Sequence, residues 1–234
     1  MPDSMIADSR GTLYRNTGND ALLSLVDLSA PGRALDCGCG AGDNARRLSG
    51  SNWKVIGVTI SEQEALLAGN YCESVLIHDL EEGLPRQLEG PFDLVLLSHI
   101  LEHLREPAPL LADARRLLAP DGVLAVALPN VLYWRQRLDF LTGRFDYAQI
   151  GILDRTHLRF YTYRSGRSVL VDNGYEIVRQ CVEGFLPIPF RRQIPKVLIG
   201  PADRAASLLL PGLFGWQLLY TARPARLSSH AASA

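Results

Sequence analysis

Short apolar or β-branched runs alternate along this chain with stretches in which apolar residues return every three or four positions. The runs at 33–36, 54–58, 74–77, 92–98, 123–128, 175–182 and 217–223 have the length of strands. The stretches at 20–27, 41–49, 61–70, 109–118, 131–141 and 163–173 carry helical periodicity. Strands alternating in this way with helices argue for a parallel sheet with helices on both faces. The chain then divides into a helical cap over 1–30, an α/β core over 31–183, an insertion over 184–215, and a last strand with a tail over 216–234. The small-residue end of that tail is expected to be disordered.

Composition narrows the class. With 234 residues the chain suits one α/β domain with additions. Its formal net charge of −1 lacks the basic excess of a nucleic-acid binder, so no nucleic-acid partner is expected. The first ten residues are polar, with no apolar segment of a secretory leader, and no stretch is long and apolar enough to span a bilayer. Four cysteines, two of them flanking Gly38, fit a reducing compartment better than a disulfide framework, and a cytoplasmic location is expected.

The string Leu35-Asp36-Cys37-Gly38-Cys39-Gly40-Ala41-Gly42 joins the first of these strands to the next helix. Glycines at 38, 40 and 42 permit a tight turn with positive φ and let a ligand approach the backbone where a Cβ would clash. A dinucleotide fingerprint requires glycine at position 43, which is Asp43, and no G-x-x-x-x-G-K-[ST] string occurs. Asp36 stands just before the loop, with nothing there to neutralise phosphates. That suits a ligand carrying positive charge or ribose hydroxyls better than a pyrophosphate.

The strand at 92–98 runs into Ser98-His99-Ile100-Leu101-Glu102-His103. A helical turn there would bring His99, Glu102 and His103 toward one cleft. The string also matches the H-x-x-E-H of a zinc-protease group, but it follows a core strand instead of lying within a long helix. Charged and aromatic residues are dense between 128 and 162. Trp134, Arg135, Tyr147, Asp154, Arg155, His157 and Arg159 are candidate pocket residues, although the arginines also have Asp146 and Asp154 available as structural partners. The segment 184–215 is proline-rich and then apolar. Its place between two strands points to a lid or a dimer surface, and Arg191, Arg192, Lys196 and Arg204 keep peripheral membrane contact as a third alternative.

The glycine string resembles motif I, D-x-G-x-G-x-G, of the class I S-adenosylmethionine-dependent methyltransferases. The resemblance extends over roughly residues 32–173. It implies an α/β, Rossmann-like sheet of seven strands, mostly parallel with the last antiparallel. It implies S-adenosylmethionine as cofactor and S-adenosylhomocysteine as product, with Asp36, Gly38, Gly40, Gly42, Thr59, Asp79, Leu80 and Ser98 around the cofactor. Asp79 matches the adenine-binding acid, with Leu80 as an apolar wall. Thr59 stands where the family usually places an acid for the ribose hydroxyls, with Glu62 or Glu64 as helpers, and Ser61 with Glu64 reads equally well as a capping box.

Ubiquinone-type O-methyltransferases and small-RNA 2′-O-methyltransferases carry E-x-x-E-H where this chain has His99 to His103. In the latter group these side chains and a later histidine hold a divalent metal. The resemblance therefore makes Glu102, His103 and His157 metal candidates, while a general base drawn from His103, His157 and His99 is favoured over a metal. The Pro-Asn, Trp-Arg, Gly-Arg-Phe-Asp and Asp-Arg-Thr-His-Leu-Arg-Phe-Tyr-Thr elements resemble a bacterial group within the type 11 and type 12 methyltransferases. The implied activity is methyl transfer to a small-molecule acceptor, a hydroxyl of a sugar or natural product, with Trp134, Arg135, Tyr147, Arg155 and Arg159 at the acceptor. The alternative, favoured by Thr59, is a MetW-like partner that binds the cofactor and regulates a biosynthetic enzyme without transferring methyl.

Overall fold

The structure is a computed structural model that describes residues 4–8, 11–15, 18–188 and 193–226. Seven strands form one sheet: β3 (Arg33–Cys37), β4 (Lys54–Thr59), β5 (Ser74–Ile77), β6 (Phe92–Ser98), β7 (Leu118–Pro129), β8 (Tyr175–Gly184) and β9 (Gly215–Pro224). Their order is β5-β4-β3-β6-β7-β9-β8. The first five are parallel to one another, and β9 runs antiparallel between β7 and β8. The expected mostly parallel sheet with a reversed last strand is the one observed. Strand order reverses between β3 and β6, and the crevice outside the carboxyl ends of those two strands is where such sheets bind ligands.

The apolar runs are explained by burial on two faces. In β6, Val95 and Leu97 belong to one core layer, while Leu94 and Leu96 belong to the other. Successive strand residues point to opposite faces, so a strand covered on both sides reads as a continuous apolar run. The covering helices are α2 (Asp43–Ser49), α3 (Glu62–Ala68), α4 (Pro107–Leu117) and α6 (Tyr163–Asp172), while α5 (Trp134–Leu141) buries none of its residues. In α4 the buried positions Pro107, Leu110, Leu111, Ala114 and Leu117 make the stripe that its periodicity predicts. Thr162 and Ser165 close a capping box at the start of α6.

The N-terminal segment departs from the expected helical cap. There β1 (Ser4–Asp8) pairs antiparallel with β2 (Gly11–Arg15), and among the described residues of this segment helix is confined to α1 (Asp20–Leu23). Ile6, Thr12 and Tyr14 are residue types that favour strands. The single turn of α1 buries Leu22 and Leu23 in the core, and that is its contribution to packing. The insertion forms α7 (Lys196–Leu209) and α8 (Pro211–Phe214). The expected disordered tail at 228–234, and Arg191 and Arg192, lie outside the described residues.

Candidate functional site

The carboxyl end of β3 turns sharply because the amides of Gly38 and Cys39 both donate to the carbonyl of Val58, at 2.8 and 2.9 Å. The turn holds Gly38, Gly40 and Gly42 at φ of 72°, 52° and 86°, in the left-handed region that glycine favours. A Cβ on Gly38 would lie 2.0 Å from Cδ1 of Ile100, so this glycine also admits the turn that follows β6. Leu80 lies on the same side of the loop and is buried in the core.

Asp36 is 1% exposed, and neither of its carboxylate oxygens has a hydrogen-bond partner. Burial pushes its pKa up to about 7; the Asn44 side chain opposes the rise and the Asp43 charge adds to it. Asn44 nevertheless falls short of a hydrogen bond to Asp36, and its side-chain oxygen accepts from the Asn19 amide. A buried acceptor without a donor is costly, and its retention beside a glycine cradle fits a cationic ligand.

Thr59 is buried at the end of β4, and its hydroxyl donates to Oε2 of Glu64 at 2.8 Å. Its one proton is therefore committed, and the expected ribose contact can use only its acceptor capacity. Ser61 caps α3 by accepting from the Glu64 amide, but the Glu64 side chain goes to Thr59, so only half of the expected capping box forms. Asp79 is exposed, and one of its oxygens caps the 3-10 turn Leu80–Glu82. Ser98 Oγ accepts from Asn19 Nδ2 at 3.1 Å.

The turn after β6 starts with His99 at φ 58°. Its Nδ1 meets Oε1 of the fully buried Glu102 at 3.1 Å, and its Nε2 meets Oε1 of Gln217 on β9. Gln217 is 2% exposed and its amide nitrogen donates to Glu183 at 3.0 Å, so its carbonyl oxygen faces His99. The other oxygen of Glu102 is buried without a hydrogen-bond partner. The carbonyl of Glu102 accepts from the amides of Leu158 and Arg159, which draws the loop carrying His157 onto this turn.

His103 and His157 then lie edge to face, 4.7 Å between ring centroids. Each has its Nδ1 anchored: His103 to the carbonyl and hydroxyl oxygens of Thr156, at 3.3 and 3.0 Å, and His157 to the carbonyl of Ile152 at 3.0 Å. A proton on Nδ1 donating to a carbonyl leaves Nε2 with a lone pair, and ligand atoms of Glu102, His103 and His157 all lie within 4.8 Å of one another. Burial lowers the pKa of His157, against the raising effect of the Glu102 charge. Outward from His157 runs a ladder of rings, with Phe160 at 6.5 Å, then Phe145 at 5.7 Å and Tyr147 at 6.5 Å from Phe160.

The expected acceptor residues divide. Tyr147 joins this ladder, half exposed. Trp134, at the start of α5, keeps a buried indole N–H without a partner. Arg135 and Arg155 are exposed. Arg159 is withdrawn from the cleft: its guanidinium donates to the carbonyl of Arg105 and pairs with Glu106 at 2.8 Å. Asp154 takes both the amide and the hydroxyl of Thr156, at 2.8 and 2.7 Å, and so buttresses His103 instead of pairing with an arginine. Thr156 and Gln217 went unmarked in the sequence, and Asn19 was marked only as the end of a segment, 14–19, able to close over a cofactor. Gln217 shares β9 with Thr221 and Arg223, so its polarity alone carried no signal.

Comparison with known proteins places this geometry among relatives. A family model described as a methyltransferase domain matches residues 13–180. The chain is 25% identical to the tRNA 5-carboxymethoxyuridine methyltransferase of Escherichia coli O157:H7, over 72% of this chain and 76% of that one. It is 32% identical to the ubiquinone biosynthesis O-methyltransferase of Maricaulis maris, over 42% of this chain and 41% of that one. The chain spans less than half the length of several of the curated relatives it matches. A solved S-adenosylmethionine-dependent methyltransferase from Archaeoglobus fulgidus shares the fold, with a TM-score of 0.61, 21% identity, and 86% and 91% of the two chains covered.

Proposed function

The chain belongs to the methyltransferase-domain family, of the class I S-adenosylmethionine-dependent architecture, and from that premise we propose that it methylates a hydroxyl of a small-molecule acceptor with a histidine base. The sugar or natural-product class expected from the sequence is the starting point for the acceptor search. When bound, S-adenosylmethionine supplies a methyl group made electrophilic by its sulfonium charge. Gly38, Gly40 and Gly42 admit the cofactor backbone-close, and the unpartnered carboxylate of Asp36 suits its positive charges. Leu80 walls the cradle, and Asp79 keeps one carboxylate oxygen outside its cap.

The observation that carries the base assignment is the pair of anchored histidines. His157 Nε2 takes the hydroxyl proton as the acceptor oxygen attacks, and Glu102 stabilises the imidazolium that results. His103 flanks it, held by Thr156 and Asp154, and Gln217 fixes the orientation of His99 against Glu102. Radiolabelled methyl transfer to a panel of sugar and phenolic hydroxyls tests the reading. Tight cofactor binding with no transfer to any acceptor would instead support the MetW-like partner role.

A second reading rests on the unpartnered oxygen of Glu102. The Glu102 carboxylate, with a ring nitrogen from each of His103 and His157, makes a two-histidine, one-carboxylate set able to hold a divalent cation, which would lower the pKa of the acceptor hydroxyl. Unchanged activity in excess chelator assigns the three groups to base chemistry. Activity lost in chelator and restored by a divalent cation assigns them to a metal.

The cradle itself is tested by Gly38→Ala. The added methyl meets Ile100 and must adopt φ 72°, so cofactor affinity in calorimetry is expected to fall at least tenfold. Circular dichroism checks that the variant remains folded. Unchanged affinity would remove this loop from the cofactor site.

A further inference from the structure

We propose that α7 is a membrane-surface helix whose outer face seats on an anionic phospholipid bilayer. The helix packs against β8, the edge strand four places from β3 in the sheet order, across a cleft of about 400 Å³. Its inward positions are Ile199, 7% exposed, and Asp203, 8% exposed, whose carboxylate accepts from the Leu186 amide at 2.9 Å. Apart from Arg204, its exposed positions from 197 onward are apolar. Val197, Leu198, Leu208 and Leu209 are 78, 69, 73 and 79% exposed, and Pro201, Ala202 and Ala205 fill the face between them.

Leucines standing in water over a whole helix face mark a surface that another phase covers. Gly200 and Pro201 make the helix a poor one by propensity, so packing on both faces matters to it. Charge favours an anionic lipid surface. Between 191 and 204 the sequence holds Arg191, Arg192, Lys196 and Arg204 against one acid, Asp203, and that acid is buried. Arg204 is exposed at the margin of the apolar face, where it and Leu208 also border the cleft against β8. An apolar-faced helix of 14 residues preceded by basic residues is suited to lie in the headgroup region, and no helix among the described residues is long and apolar enough to cross a membrane. Seven side chains on one helix fall well short of the roughly twenty to thirty residues a side of a standard protein interface, which disfavours a second copy as the occupant.

The test is flotation of the full chain with vesicles of phosphatidylcholine alone and with one-third phosphatidylglycerol, beside the Leu198→Glu, Leu209→Glu double variant. Both positions are open to solvent, so the fold should accept the change, and an unchanged cofactor affinity would check that. The expected result is binding to phosphatidylglycerol vesicles at low salt, at least tenfold weaker for the double variant and weakened by 0.5 M salt. No binding of the parent chain at low salt, or equal binding by the variant, would overturn the proposal. So would a dimer in analytical ultracentrifugation that the double variant dissociates, because a second copy would then cover the face.

Discussion

His157→Ala is expected to lower kcat by roughly two to four orders of magnitude, the span of a positioned general base, while leaving cofactor affinity within about twofold. The reason is geometric. His157 lies outside the glycine cradle, its Nδ1 is fixed by the Ile152 carbonyl, and a nitrogen of its ring shares a cluster with ligand atoms of Glu102 and His103. The pH dependence separates this role from a packing role. Burial lowers the pKa of His157, so the base form persists at neutral pH and the acid limb of kcat lies below the ordinary histidine value of about 6.5. The charge of Glu102 works the other way and raises that pKa, so Glu102→Gln should move the limb further toward acid as well as lowering the rate. The same shift has a stability consequence. The folded pKa lies below the unfolded one, so the unfolded chain binds more protons as pH falls past about 6.5, and this group's contribution favours unfolding there. A His157→Ala enzyme with parental kcat and pH profile would sink the base assignment.

The fold was legible because its strands are covered on both faces, which makes Leu94 to Leu97 a plain apolar run with no periodicity to misread. The glycine loop was legible because its backbone conformation depends on residue type at 38, 40 and 42. The acceptor side was less so. Asp154, Thr156 and His157 are close in sequence, but whether Arg159 points toward or away from them depends on Arg105 and Glu106, some fifty residues earlier. Asn19 and Gln217 lie 198 residues apart and meet beside Ser98 and His99 through side-chain hydrogen bonds that leave no local pattern. Thr59 read as standing in place of a ribose acid with Glu62 or Glu64 as helpers, and the fold brings the carboxylate of Glu64, one turn into the next helix, to its hydroxyl.

Asp36→Asn should do two opposite things: raise the melting temperature of the cofactor-free protein by several degrees at pH 8 and weaken cofactor binding at least tenfold. Asp36 has a folded pKa of about 7 against an ordinary value of 3.8. Because the folded pKa is the higher one, the folded state holds a proton that the unfolded state has lost, and stability falls as pH rises from about 4 to about 7. A shift of about three units corresponds to at most roughly 4 kcal/mol at pH 8, where the parent must keep a desolvated charge and the amide does not. For a chain of this size each kcal/mol is worth about 2–4 °C. A cationic ligand reverses the balance by favouring the ionised form. Binding near pH 6 should therefore release a proton, read as a dependence of the calorimetric enthalpy on the ionisation enthalpy of the buffer. That dependence should vanish in Asp36→Asn, together with most of the affinity. If the variant binds cofactor as tightly as the parent, or if binding releases no proton at pH 6, the buried carboxylate serves some purpose other than meeting a cation.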